Sequence, residues 1–223
     1  MLRMARCLRW LPIMAASALL CPLPAAAKAQ PISATLVVFG DSLSAGYGIR
    51  AEEGWVALLT RRLESEGYGY RVVNASVSGE TTVGGLARIG HVLAVQRPAI
   101  VVIELGANDG LRGLPVTELR RNLVQIASLA RDSGARVLLV GTRVPSNYGP
   151  AYSEDFYASF ATVAREQKLA LVPFLLEGIA LDERNFQEDR LHPLAAAQPR
   201  LLDNVWHGLK PLLAPPARHG APH

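Results

Sequence analysis

Residues 35–48 read TLVVFGDSLSAGYG. A short run of β-branched and apolar residues ends at Gly40, and Asp41, Ser42 and further glycines follow at once. The run suits a strand and the Gly-Asp-Ser step suits the turn that leaves it. The same transition recurs along the chain. Residues 70–74 (YRVVN), 99–105 (AIVVIEL), 136–140 (RVLLV) and 169–172 (LALV) are four more strand candidates. The run at 99–105 is apolar except for Glu104, as expected of a strand covered on both faces, and Glu104 must find a partner near the strand end. Between the strands, apolar residues return at helical spacing over 53–65 (Trp55, Leu58, Leu59, Leu63), 82–96, 115–131, 153–167 and 193–209, with Pro115 and Pro193 in first-turn positions. Five alternations of strand and helix imply parallel strands joined by right-handed crossovers. The expected fold is therefore α/β: a three-layer α/β/α sandwich around a five-stranded parallel sheet.

The chain has 223 residues, half of them hydrophobic, which is one domain of ordinary size with material for a core. No linker, repeat or charge block divides it. Arg3, Arg6 and Arg9 precede a nearly apolar stretch at 10–23, and Ala25-Ala26-Ala27 and Ala27-Lys28-Ala29 are small-x-small patterns. This is the layout of a secretory signal peptide, with cleavage expected after Ala27 or Ala29. The expected organisation is a leader at 1–29, a domain at 30–212 and a tail at 213–223, with a periplasmic or secreted destination. Of the 23 basic residues, Arg3, Arg6, Arg9 and Lys28 lie in the leader, which has no acids, so 19 remain against 19 acidic residues. The basic balance belongs to the leader, and neither a nucleic-acid partner nor lasting membrane insertion is expected. Cys7 and Cys21 are also in the leader. The remainder offers no disulfide, thiol nucleophile or cysteine metal site.

In an open parallel sheet, ligands gather at the carboxyl ends of the strands. Four segments there carry chemistry: Gly40-Asp41-Ser42, then Asn74 to Thr81 (NASVSGET), then Gly106 to Gly110 (GANDG), and later Asp189-Arg190-Leu191-His192-Pro193. A serine hydroxyl attacks a carbonyl only when a neighbour takes its proton, and histidine does this best near neutrality. His192, with Asp189 three residues before it, is the candidate base; the aspartate would fix its tautomer and stabilise the imidazolium. His91 and His207 fall in helices and His219 and His223 in the tail, none with such an aspartate. Candidate donors to a developing oxyanion are the Asn108 amide and the N–H groups of Ser42 and Gly79. Asp41 is expected to bond the turn that presents Ser42, and Ser76 and Ser78 to bond nearby backbone.

The stretches GDSLSAGYG, NASVSGETT, ELGANDGLRG and DRLHP resemble the four signature blocks of the SGNH (GDSL) hydrolase superfamily, in order and at similar spacing from about residue 35 to 209. Within it the chain is similar to the exported bacterial thioesterase, lysophospholipase and arylesterase group. The resemblance implies the flavodoxin-like fold of that superfamily and a serine esterase with Ser42 as nucleophile, Asp189 and His192 as its relay, and Ser42, Gly79 and Asn108 as the oxyanion hole. It implies no cofactor and no metal, a small acyl ester or thioester as substrate, and a monomer. It also implies an acyl groove shaped by the loop around residues 143–152, with Asn147 and Tyr148 touching substrate. Arg190 stands where this group usually has glycine; a positive φ there would carry about 1 kcal/mol of strain.

Three other readings compete. A carbohydrate O-deacetylase would share the chemistry with a short polar site. A binding protein could keep the fold without the chemistry. Asp182, Glu183, Glu188, Asp189 and His192 could gather a cation, although they lack tight ligand spacing. The Gly-x-Ser-x-Gly elbow of α/β-hydrolases and the glycine-rich nucleotide loops are absent.

Overall fold

The computed structural model describes residues 34–215. The expected leader at 1–29 and the tail beyond Pro215 lie outside the described residues. Five strands, β1 (Ala34–Gly40), β2 (Tyr70–Asn74), β3 (Ile100–Glu104), β4 (Arg136–Val140) and β5 (Ala170–Val172), form one parallel sheet in the order β2-β1-β3-β4-β5. That is the doubly wound, flavodoxin-like order. Among the described residues, seven α-helices connect or flank the strands: α1 (Ser42–Ala45), α2 (Trp55–Ser65), α3 (Thr82–Gln96), α4 (Ala107–Leu111), α5 (Val116–Asp132), α6 (Pro150–Gln167) and α7 (Gln198–Leu209).

Alternation along the strands divides the core into two layers. Leu36, Val38, Ile100, Val102, Leu138 and Val140 face α2 and α7, where Trp55, Leu59, Leu63, Leu201, Val205 and Leu209 are buried against them. Val37, Phe39, Val101, Ile103, Val137 and Leu139 face α3, α5 and α6, meeting Ile89, Leu123, Ile126, Phe156 and Phe160. With helices on both faces, the near-continuous apolar runs of β1, β3 and β4 follow directly.

The expected strands and helices are present, and β2, α3 and β4 begin and end where periodicity puts them. The departures are local. The final helix starts at Gln198 rather than 193, because Pro193 forms an antiparallel bridge with Phe186 and residues 195–197 make a 3-10 turn first. The helix expected from 153 starts at Pro150, whose fixed φ suits a first turn. Segments 42–45 and 107–111, outside the helical spacing seen in the sequence, are short helices. Leu213, expected in the tail, is buried in the α2/α7 layer.

Strand order reverses between β1 and β3, and their register sets Gly40 level with Glu104. The chain leaves these two strands in opposite directions across the sheet. A crevice opens there, with Asp41-Ser42 on one lip and Gly106 to Asn108 on the other.

Candidate active site

Asp41 follows β1 and caps α1. Its Oδ1 accepts the Leu43 N–H at 3.0 Å, which answers one of the unpaired donors of a helix start. Ser42 is the first residue of that helix, so its N–H has no acceptor one turn earlier. Ser42 Oγ lies 2.9 Å from His192 Nε2, and His192 Nδ1 lies 2.6 Å from Asp189 Oδ2. Asp189 Oδ1 accepts the N–H groups of Leu191 (2.9 Å) and His192 (3.0 Å), an Asx turn that sets the carboxylate under the ring. Partial burial would raise the Asp189 carboxyl. The bonds from the His192 ring and from these N–H groups outweigh that and hold it down at about 2. An ionised Asp189 requires the proton on Nδ1, which turns the lone pair of Nε2 toward Ser42.

Asn108 is the second residue of α4, and its Nδ2 donates to Asp41 Oδ2 at 3.2 Å. One amide hydrogen is thereby used for aim and the other remains. Asp41 thus does more than hold its own turn: it also orients Asn108. Gly79 has a φ of +80°, a conformation that glycine adopts without a Cβ penalty, in the loop leading to α3. That loop is tied down at each end. Ala75 N–H and Val77 N–H donate to the carbonyls of Val38 and Gly40, at 2.8 and 3.0 Å. The hydroxyl of Ser76 accepts the Gly40 N–H at 3.1 Å, so its partner is the end of β1 and not the local backbone expected from sequence. Arg88, stacked 4.0 Å above the Phe39 ring, pairs with Glu80 and donates to the Ala75 carbonyl at 2.7 Å. From the other side, Arg112 donates to the Gly79 carbonyl, and Asp109 accepts the N–H and hydroxyl of Thr82. The loops of Gly79 and Asn108 therefore form one framework.

Glu104 finds its partner behind the Ser42 turn. Ser44 donates to Glu104 Oε2 at 2.6 Å, and the Asp41 N–H approaches the same oxygen at 3.5 Å. Both carboxyls are fully buried. Burial pushes Asp41 up to about 6, against the pull of the Leu43 N–H, His192 and Asn108. Burial, with Asp41 beside it, drives Glu104 well above the usual carboxylate range, against the pull of the Ser44 hydroxyl and the Asp41 N–H.

The other expected residues are placed as follows. Asn147 and Tyr148 lie in a 3-10 turn at Ser146–Tyr148; Asn147 is exposed, and the Tyr148 hydroxyl donates to the Leu111 carbonyl at 2.6 Å, joining that turn to α4. Arg190 has a φ of +58°, the left-handed conformation its position required, and its guanidinium reaches Glu183 at 3.4 Å in the open. Asp182 is held by Arg184 and Asp189 by His192. Among the described residues no group of three or more His, Cys, Asp or Glu side chains could hold a metal ion. Two neighbours of His192 escaped the sequence reading. The Tyr47 ring lies 4.6 Å from the imidazole, and Gln187 bonds across to the Tyr47 carbonyl. Tyr47 falls inside the GDSLSAGYG stretch, which is the only signal that pointed to it.

Residues 38–198 match the family model of the GDSL-like lipase/acylhydrolase family. The chain belongs to that family. The GDSL match spans the Ser42 turn, the loops of Gly79 and Asn108 and the His192 hairpin together. Among GDSL relatives, the chain is 55% identical to "Esterase TesA" of Pseudomonas aeruginosa over 184 residues, 82% of this chain and 92% of that protein. It is 41% identical to "Thioesterase 1/protease 1/lysophospholipase L1" of Escherichia coli over 179 residues, 80% of this chain and 85% of that protein. In structure it resembles the psychrotrophic esterase EstA of a Pseudoalteromonas species, solved inhibited by monoethylphosphonate, with TM-score 0.77 and 39% identity over 80% of this chain and 98% of that one. The protein is an ester-hydrolysing enzyme of the GDSL family.

Proposed function

We propose that Ser42 is the nucleophile of a serine esterase acting on carboxylic esters and thioesters through an acyl-enzyme. The observation that carries this reading is the pair of short contacts on the two imidazole nitrogens, 2.9 Å to Ser42 Oγ and 2.6 Å to Asp189 Oδ2. Ser42 Oγ attacks the carbonyl carbon while His192 Nε2 takes its proton. The carbonyl oxygen becomes an oxyanion, received by the N–H groups of Ser42 and Gly79 and the free hydrogen of the Asn108 amide. The imidazolium, stabilised by ionised Asp189, returns the proton to the departing oxygen or sulfur. Water then loses a proton to Nε2, attacks the acyl carbon, and regenerates Ser42. The nucleophile and the oxyanion donors act on the acyl carbonyl, and only His192 meets the leaving group, as its proton donor, which favours a broad range of esters and thioesters. Asn147 and Tyr148, on the turn joined to α4 beside Asn108, would border the acyl chain.

The leader-like residues 1–29 support an exported enzyme, periplasmic or secreted. Among the described residues no helix is long and apolar enough to cross a membrane. We take the domain to run from residue 30 and to act as a monomer.

Hydrolysis of p-nitrophenyl esters from acetate to palmitate, with Ser42→Ala beside the wild type, tests this reading. Rate is expected to climb with chain length, since each methylene buried in a groove is worth about 0.8 kcal/mol, roughly fourfold. Ser42→Ala is expected to be dead. Cleavage of acetate alone would favour the O-deacetylase reading, and full activity in Ser42→Ala would remove the assignment.

A further inference from the structure

His192 and Ser42 are 150 residues apart in the chain, and one set of backbone bonds closes the hairpin that carries His192. Gln187 N–H donates to the His192 carbonyl (2.8 Å), Leu194 N–H to the Asn185 carbonyl (2.8 Å), and Phe186 bridges Pro193. These bonds set His192 against Asp189. They do not set it against Ser42.

Two glutamines make that connection. Gln187 Nε2 donates to the Tyr47 carbonyl at 2.8 Å, on the loop that follows Ser42, and to the Pro193 carbonyl at 3.4 Å. Gln198, buried at the start of α7, accepts the Trp55 N–H on Oε1 at 3.0 Å and donates from Nε2 to the same Pro193 carbonyl at 3.4 Å. The amide orientations are dictated by their partners. A carbonyl can only accept, so both Nε2 groups face Pro193, and an N–H can only donate, so Oε1 of Gln198 faces Trp55. The carbonyl next to His192 is thus gripped from two directions, and each grip ends on one end of the 47–55 segment. Gly48 belongs to the same arrangement: a Cβ there would lie 2.0 Å from Gln187 Oε1, so only glycine lets the Gln187 side chain pass.

We propose that Gln187 and Gln198 are positioning residues that dock the His192 hairpin onto the nucleophile loop and so hold Nε2 at bonding distance from Ser42 Oγ. The proposal rests on the reading of Ser42 and His192 as the reacting pair. Neither glutamine touches the reacting atoms. Their effect is on alignment, where a displacement of about 1 Å can cost on the order of 10²-fold in rate.

The test uses Gln187→Glu, Gln187→Ala and His192→Ala, measured for kcat and KM on p-nitrophenyl butyrate and for thermal unfolding. Gln187→Glu keeps the shape but sets a carboxylate against two carbonyls. Gln187 is half-buried on a surface hairpin, so both variants are expected to fold. The expected result is a fall in kcat of about 10- to 100-fold in both Gln187 variants, with KM within about twofold and unfolding little changed. A mere packing role would instead spare kcat in Gln187→Glu and lower only the unfolding temperature, which overturns the proposal. If His192→Ala is inactive while both Gln187 variants run at full rate, the docking role alone fails. If His192→Ala keeps wild-type turnover, the base assignment fails and the docking role with it.

Discussion

Around Ser42 the chain is sunk into the sheet, whereas around His192 it stands in solvent. Asp41, Ser44 and Glu104 are buried, and the turn is bonded to β3, to the loop after β2 and to Asn108. Glu188, Asp189, Arg190 and Leu191 are exposed, and Arg190 adds a strained left-handed residue. The buried half owes its geometry to the fold itself: β1 and β3 in register deliver the turn. The exposed half owes its geometry to a few side-chain bonds, those of Asp189 within the hairpin and those of Gln187 and Gln198 out of it. Changes in the first half should therefore reach stability as well as rate, while losing one of these side-chain bonds in the second should reach rate with little change in stability.

The largest expected effect is on the exposed side. Asp189→Asn loses the charge that fixes the Nδ1 proton, and kcat should fall on the order of 10⁴-fold with thermal unfolding nearly unchanged. A loss of folding instead would erase the contrast between the halves. Asn108→Ala removes a proposed oxyanion donor and should cost about 10² to 10³ in kcat. Because Asn108 also bonds buried Asp41, it should in addition lower the unfolding temperature, which separates it from Asp189→Asn.

The buried carboxyls give the contrast a pH signature. Asp41 rises from an ordinary 3.8 to about 6 on folding, so the folded chain holds a proton that the unfolded chain releases between those values. Its contribution to stability is present below about pH 4 and is lost as pH rises through 6, a change of about 3 kcal/mol. Urea unfolding at pH 4.5 and 8 should show Asp41→Asn gaining on wild type toward the higher pH, and an equal difference at both would contradict the burial argument. Asp189, held down near 2, adds no slope in that window. The smallest effect is expected at Arg190. Arg190→Gly relieves a left-handed conformation and should stabilise by up to about 1 kcal/mol with turnover within twofold, since its exposed pairing with Glu183 is worth little.

The same contrast governs what the sequence disclosed. β1, β3 and β4 were legible because burial on both faces demands continuous apolar runs, and α3 because its periodicity lasts fifteen residues. Helices α1 and α4 were not, since four and five residues are too few for a period. Pro193 suggested a helix start because proline suits a first turn, yet its backbone is taken by the bridge to Phe186. Ser42, Asp189, His192, Gly79 and Asn108 stood out because their residue types and strand-end positions announce chemistry. Glu104 announced only a need for a partner; Ser44 lies 60 residues away, and no local pattern links them. Gln187 and Gln198 were silent for the same reason, their partners lying 140 and 143 residues off.

The central claim is that Ser42 attacks and His192 takes its proton. Trapping with a p-nitrophenyl alkylphosphonate tests it most directly, with peptide mass spectrometry to locate the adduct. The account predicts one adduct on Ser42 that forms in step with loss of activity, slows at least about 10³-fold in His192→Ala, and is absent from Ser42→Ala. Inactivation with Ser42 unmodified, or labelling of Ser42 at the same rate without His192, would contradict it.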